Sequence, residues 1–219
     1  MIDTATIPGG GGRLHLVRHE EDYEILYGDE QLMGSWAFRS EEALATLVLD
    51  RLGRVADRVL IGGLGMGFTL AAARSGLPAS SAIVVAELVP QVVAWAQGPL
   101  AHIVGNSLSD PRVSVELRDV HDVIVEQPGG YDAILLDVDN GPDGLIHVSN
   151  ERLYSAWGLR AARTALRVGG ILAIWSAYPD DEFAERLREA GFAVEELVID
   201  SGGHADDPPH VIWLSRRID

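Results

Sequence analysis

The stretch VLIGGLGMGFTLAAA, Val59 to Ala73, joins an apolar run to an alanine-rich helical segment through Gly62, Gly63, Gly65 and Gly67. A turn this rich in glycine brings backbone close to a neighbour or a ligand and uses dihedrals that other residues resist. From Arg58 onward the same alternation continues. RVLIGG, AIVVAEL, RVSVEL, YDAILLDV, GGILAIWSA, FAVEELVI and HVIWLSRR read as short buried-type strands. Helical segments separate most of them: TLAAARSG, VPQVVAWAQGPL, DVHDVIVEQ, NERLYSAWGLRAARTAL and DDEFAERLREAG. The series predicts an α/β fold with a doubly wound, mostly parallel seven-stranded sheet that binds ligands at the carboxyl ends of its strands. The last strand, His210 to Arg216, comes after another strand across DSGGHADDPP and is expected to run antiparallel at the far end of the sheet.

Ahead of this unit, PGGGG at Pro8 to Gly12 reads as a flexible leader. RLHLVRHEEDYEILYGDEQLM then alternates apolar and polar residues around turn signals at Glu20 to Asp22 and Gly28-Asp29, predicting a small β-hairpin or meander. In SEEALATLVLDRL, Ser40 is placed to cap a helix whose Leu44, Leu47, Val48 and Leu52 fall on one face. The expected organisation is a leader and hairpin region over 1–39 and a ligand-binding domain over 40–219. No window approaches the roughly 18–20 apolar residues of a membrane span, and the N-terminus lacks a signal-peptide pattern. A cytoplasmic chain with no membrane partner is expected. The absence of cysteine excludes a disulfide framework, a thiolate nucleophile and a cysteine zinc site.

Thirty-three acidic against 17 basic residues give a net charge of −16, which opposes the phosphate backbone and excludes a general nucleic-acid binder. A cationic or neutral small molecule fits better, although such acidity also serves solubility.

As a dinucleotide fingerprint the turn fails, since the third small residue would fall on Phe68. As the G-x-G-x-G turn of S-adenosylmethionine enzymes, Gly63, Gly65 and Gly67 are in register. Glu87, which ends the second strand 20 positions after Gly67, suits the ribose hydroxyls. Asp119 ends the third, where it could accept the adenine amino group beside Val120 or cap the next helix. YDAILLDVDNGPDG ends the fourth with Asp137, Asp139, Asn140 and Asp143, of which Asp137 and Asp139 are candidates to orient or deprotonate a substrate amine. His121 and His147 form no ligand-spaced motif, so no metal is expected. Trp36 and Phe38 could cover the acceptor, Tyr178 could face it, and Trp157 and Trp175 read as core.

Together these residues resemble the spermidine synthase family within the class I S-adenosylmethionine-dependent methyltransferase superfamily. The carriers are VLIGGLGMGFTLA, VVAEL, ELRDVHDVI and YDAILLDVDNGP, with Gln31 nine residues before Ser40-Glu41-Glu42. The resemblance implies a Rossmann-like methyltransferase fold and a donor, S-adenosylmethionine or its decarboxylated form. The donor would be held by Gln31, Gly63, Gly65, Gly67, Glu87, Asp119, Val120 and Asp137. It implies a small-molecule acceptor, an amine among the candidates, and a homodimer. Three positions depart from the polyamine-forming pattern. The family's catalytic tyrosine is Ser40, the aspartate that clamps the aminopropyl donor is Gly65, and the last aspartate of the D-S-S-D strand end is Asn140. Methyl transfer is therefore the first expectation, aminopropyl transfer the second, and a noncatalytic nucleoside-binding or interaction module the third.

Overall fold

The computed structural model describes residues 1–138, 140–142, 150–203 and 207–219. The chain begins with four strands, β1 (Asp3–Thr6), β2 (Arg13–His19), β3 (Asp22–Tyr27) and β4 (Glu30–Gly34), paired antiparallel in that order. The expected meander is thus one strand larger, because Asp3–Thr6, ahead of the glycines, also pairs. Its hairpins turn on Glu20 and Gly28, both at positive φ, as two-residue turns between twisted strands require. Alternation buries Leu14, Leu16, Tyr23 and Ile25 on one face. Asp3 ties this small sheet to the rest of the chain, accepting hydrogen bonds from the Trp95 indole at 2.8 Å and from Gln91 at 2.6 Å.

Helix α1 (Arg39–Leu52) buries Leu44, Val48 and Leu52 at the expected spacing and ends at Gly53 in the left-handed region. Ser40 is not its cap. Phe38 precedes the first turn, and Ser40 lies inside the helix, fully buried, with its hydroxyl drawn into other contacts.

The alternating unit comes next: β5 (Arg58–Gly62), α2 (Phe68–Gly76), β6 (Ala82–Ala86), α3 (Pro90–Gln97), α4 (Ala101–Val104), β7 (Val113–Glu116), α5 (Val120–Val125) and β8 (Tyr131–Leu136). It continues through α6 (Glu151–Tyr154), α7 (Ala156–Ala165), β9 (Leu166–Ser176), α8 (Asp181–Glu189), β10 (Phe192–Ile199) and β11 (His210–Arg217). The seven strands from β5 onward form one sheet in the order β10-β11-β9-β8-β5-β6-β7, parallel from β9 to β7 and antiparallel around β11. Apolar clusters cover both of its faces. The doubly wound α/β reading holds.

Two expectations are corrected. Strand β11 is antiparallel but sits between β10 and β9, leaving β10 at the edge. The reason is composition: Val211, Ile212, Trp213 and Leu214 are all buried, whereas β10 exposes Glu195 and Glu196 as an edge strand does. The segment NERLYSAWGLRAARTAL is two helices, because Ser155 is extended (φ −69, ψ 158) and its hydroxyl accepts the Gly158 N–H to cap α7. The break resets the helical phase and turns Trp157 outward, 59% exposed against the ring of His121, rather than into the core. No helix among the described residues is long and apolar enough to cross a membrane.

Candidate active site

The chain leaves β5 for β6 on one side and returns as β8 on the other, so a crevice opens at their carboxyl ends. A cleft of about 990 Å³, its open mouth included, occupies that place. Its floor is made by Gly63 and Gly65 after β5, Glu87 after β6, Asp119 and Val120 after β7, and Asp137 after β8. Its other wall comes from the N-terminal sheet and its flanks: Ile7, Leu14, Ile25, Leu32 and Met33. A cleft of this kind is of the class that takes small molecules.

Gly63 stands at φ 85, and a Cβ there would collide with the main-chain oxygen of Asp137. Glycine at this position is what lets the ends of β5 and β8 approach. Glu87 is 7% exposed and held by the turn itself: the Leu64 N–H donates to its Oε2 at 2.9 Å and the Val89 N–H to its Oε1 at 2.8 Å. Burial raises its pKa, while backbone donors, Gly65 among them, pull the other way. Each oxygen keeps a lone pair for a hydroxyl in the cleft.

Asp119 does cap a helix, as one of its two readings has it. Its Oδ1 accepts the His121 N–H at 2.9 Å, and its Oδ2 pairs with Arg152 at 2.7 Å, yet the residue still lines the cleft. Asp137 receives the Thr69 hydroxyl at 2.9 Å, and burial raises its carboxyl to about 6. Beside it lies Glu41, to which no motif in the sequence assigns a role. Glu41 is 4% exposed and lines the cleft, and its carboxyl is pushed up to about 8, first by burial and then by repulsion from Asp137. Its only trace in the sequence is a charged residue on the buried face of an amphipathic helix.

Several expected residues do not meet here. Gln31 is exposed on β4 and outside the cleft, because the strand's alternation and a register shift opposite Ile25/Leu26 hand that position to Leu32 and Met33. Gly67 starts α2 at φ 82 facing Val104, so it shapes the turn without lining the cleft. Asn140 reaches away to Glu30 at 3.1 Å. Phe38 packs on Phe68, and neither it, Trp36 nor Tyr178 lines the cleft, whereas Trp175 does. Asp139, Asp143 and His147 lie outside the described residues.

Gly63 and Glu87 leave backbone and carboxylate oxygens facing the cleft, while Gly65 is covered by a neighbouring side chain. The sulfur of Met33 sits 3.2 Å from the Met66 nitrogen, and a Cβ on Gly65 would stand 2.8 Å from the Met33 methyl. Met33 thus covers the position where the family's acidic clamp would stand.

No family model matches the chain. Polyamine aminopropyltransferases of Mycobacterium tuberculosis (strain H37Rv) and Mycobacterium bovis (strain AF2122/97) are each 30% identical over 160 residues, 68% of this chain. That match spans 29% of the length of each relative. Among solved structures, a spermidine synthase in complex with the transition state analogue AdoDATO has a TM-score of 0.77 at 16% identity, covering 100% of this chain and 73% of its own. The spermidine synthase from Thermotoga maritima gives 0.75 at 17% identity, covering 94% and 70%. A Burkholderia thailandensis 1,6-didemethyltoxoflavin-N1-methyltransferase with bound S-adenosylhomocysteine gives 0.58 at 20% identity, covering 84% and 81%. The chain resembles the polyamine aminopropyltransferases in sequence and has the fold shared by spermidine synthases and class I S-adenosylmethionine-dependent methyltransferases.

Proposed function

We propose that the protein transfers a carbon group from an adenosyl sulfonium donor to a small amine. The observation that carries this reading is the convergence of Glu41, Glu87, Asp119 and Asp137 with Gly63 and Gly65 on one cleft at the switch point of the sheet. Glu87 would take the ribose hydroxyls, Val120 would pack on the base, and the Gly63 to Gly65 backbone would approach the donor's tail. The donor, when bound, supplies an electrophilic carbon next to sulfur, so no covalent enzyme nucleophile is required. What the chain contributes is position and a proton acceptor: Asp137 would take the proton of the acceptor amine, and Glu41, protonated at neutral pH, would help to hold it.

Aminopropyl transfer is the first reading of the group moved, since the sequence relatives are polyamine aminopropyltransferases and two of the structural neighbours spermidine synthases. This reverses the order expected from the three departures in the sequence. Methyl transfer stays as the second reading on one observation: Met33 covers Gly65, and among the described residues no carboxylate stands there to hold the donor's amine. Calorimetric titration with S-adenosylmethionine and its decarboxylated form separates the two. At least tenfold tighter binding of the decarboxylated donor, with turnover on linear diamines, is the expected result; the opposite preference moves the assignment to methyl transfer. Binding of neither donor would remove the proposal. Glu87→Gln keeps the size of the side chain but gives one loop N–H a donor to face, and is expected to weaken donor binding about tenfold.

A further inference from the structure

Behind the cleft, the Ser40 hydroxyl oxygen lies 2.7 Å from Glu41 Oε2 and 2.7 Å from His210 Nδ1, and also receives the Trp175 indole N–H at 3.0 Å. One hydroxyl carries one hydrogen. It can donate to Glu41 or to His210, and whichever partner it does not serve must itself bring a proton for the contact to be a hydrogen bond. The three groups therefore hold two protons between them in one of two arrangements. Either Glu41 is protonated and donates to Ser40, which donates to Nδ1, or Nδ1 carries its own hydrogen and Ser40 donates to an ionised Glu41.

We propose that Glu41, Ser40 and His210 form a proton relay that connects the cleft to the half-buried start of β11. Passing from the first arrangement to the second breaks the Glu41 O–H and makes one on Ser40, while the original Ser40 O–H breaks and an N–H forms on His210. The net change is one proton moved from Glu41 to His210, which leaves a carboxylate on Glu41 and an imidazolium on His210 with the hydroxyl restored. Glu41 lines the cleft and would touch an acceptor bound there; Ser40 and His210 are positioning residues that act through it. Among the described residues, the charged and titratable groups facing the relay are Asp137 from the end of β8, Glu42 on α1 and Asp207 from the loop before β11. The Trp175 ring on β9 stands edge-on to the imidazole at 4.7 Å and fixes its plane.

In turnover, the relay would offer the proton that Asp137 takes from the amine a path out of the cleft through Glu41, and that use rests on the function proposed above. The relay itself does not, so it is tested without donor or acceptor. Nitrogen-15 NMR of labelled histidine, with His210 among seven histidines assigned through His210→Gln, tracks its titration. The expected result is two inflections for His210 in the native protein, one of them tracking Glu41, and a single inflection in both Ser40→Ala and Glu41→Gln. Glu41→Gln is isosteric and keeps the question open if Ser40→Ala fails to fold. One inflection in the native protein, or two that survive substitution, overturns the relay. Coupling in a protein that binds no adenosyl donor would leave the relay standing and the transferase reading fallen.

Discussion

Exchanging Asp137 for asparagine is expected to lower kcat by about 10²–10⁴-fold, the usual worth of a positioned proton acceptor, with donor affinity held within about threefold. The size and direction both come from the surroundings. Asp137 ends β8, where its main-chain N–H is fixed to the Gly62 carbonyl at 3.0 Å and its side chain receives the Thr69 hydroxyl at 2.9 Å. Asparagine can keep the Thr69 contact and the volume, so what is lost is the capacity to hold a proton. Burial has already raised that carboxyl to about 6, close to the pH at which an acceptor must both be ionised and bind a proton usefully. Steady-state kinetics with the preferred amine, alongside calorimetry with the donor alone, distinguish the outcomes. A loss of donor affinity with kcat unchanged would move Asp137 from the acceptor to the donor.

The parts of the site that could be read in the sequence are those set by a single rule about single strands. Glu87, Asp119 and Asp137 each come after an apolar run, and in a doubly wound sheet the residue after such a run faces the crevice. Neighbouring positions that fail do so because pairing, not local pattern, decides them. Gln31 and Met33 are two residues apart on one short strand, and only the register shift against β3 sends Met33 onto Gly65 and leaves Gln31 outside. Ser40 carries the signature of a cap, yet α1 starts one residue earlier and turns its hydroxyl toward His210, 170 positions away in the chain. The order of β10 and β11 depended on which of two adjacent strands was the more apolar. Trp157 faces solvent because of one residue's geometry, since an extended Ser155 undoes the helical phase that would bury it. Local periodicity thus yields elements and strand ends, while contacts that bring α1, β9 and β11 together have no local trace.

The melting temperature of the native protein is expected to fall as pH rises from 6.5 to 8, and Glu41→Gln is expected to abolish most of that fall. Glu41 has an ordinary value of 4.5 and stands at about 8 in the folded chain. Because the folded value is the higher one, the folded state binds more protons than the unfolded state between the two. The stability tied to this group is complete below 4.5 and is lost as pH rises through about 8. His210 works in the opposite sense, since burial lowers it from its ordinary 6.5, so above that pH it adds back only about 0.4 kcal/mol as the unfolded imidazole finishes titrating. Asp137, at about 6, has largely finished titrating as well. The slope that remains over this interval belongs to Glu41, and at about 1.4 kcal/mol per pH unit it amounts to about 2 kcal/mol. In a chain of this size that is about 4–8 °C of melting temperature. Glutamine keeps an acceptor for Ser40 but carries no charge, so it removes the repulsion from Asp137 and leaves a nearly flat profile. Calorimetric melts of both proteins at pH 6.5, 7.25 and 8 measure the difference directly, and parallel profiles would mean that Glu41 is already ionised in the folded state at neutral pH.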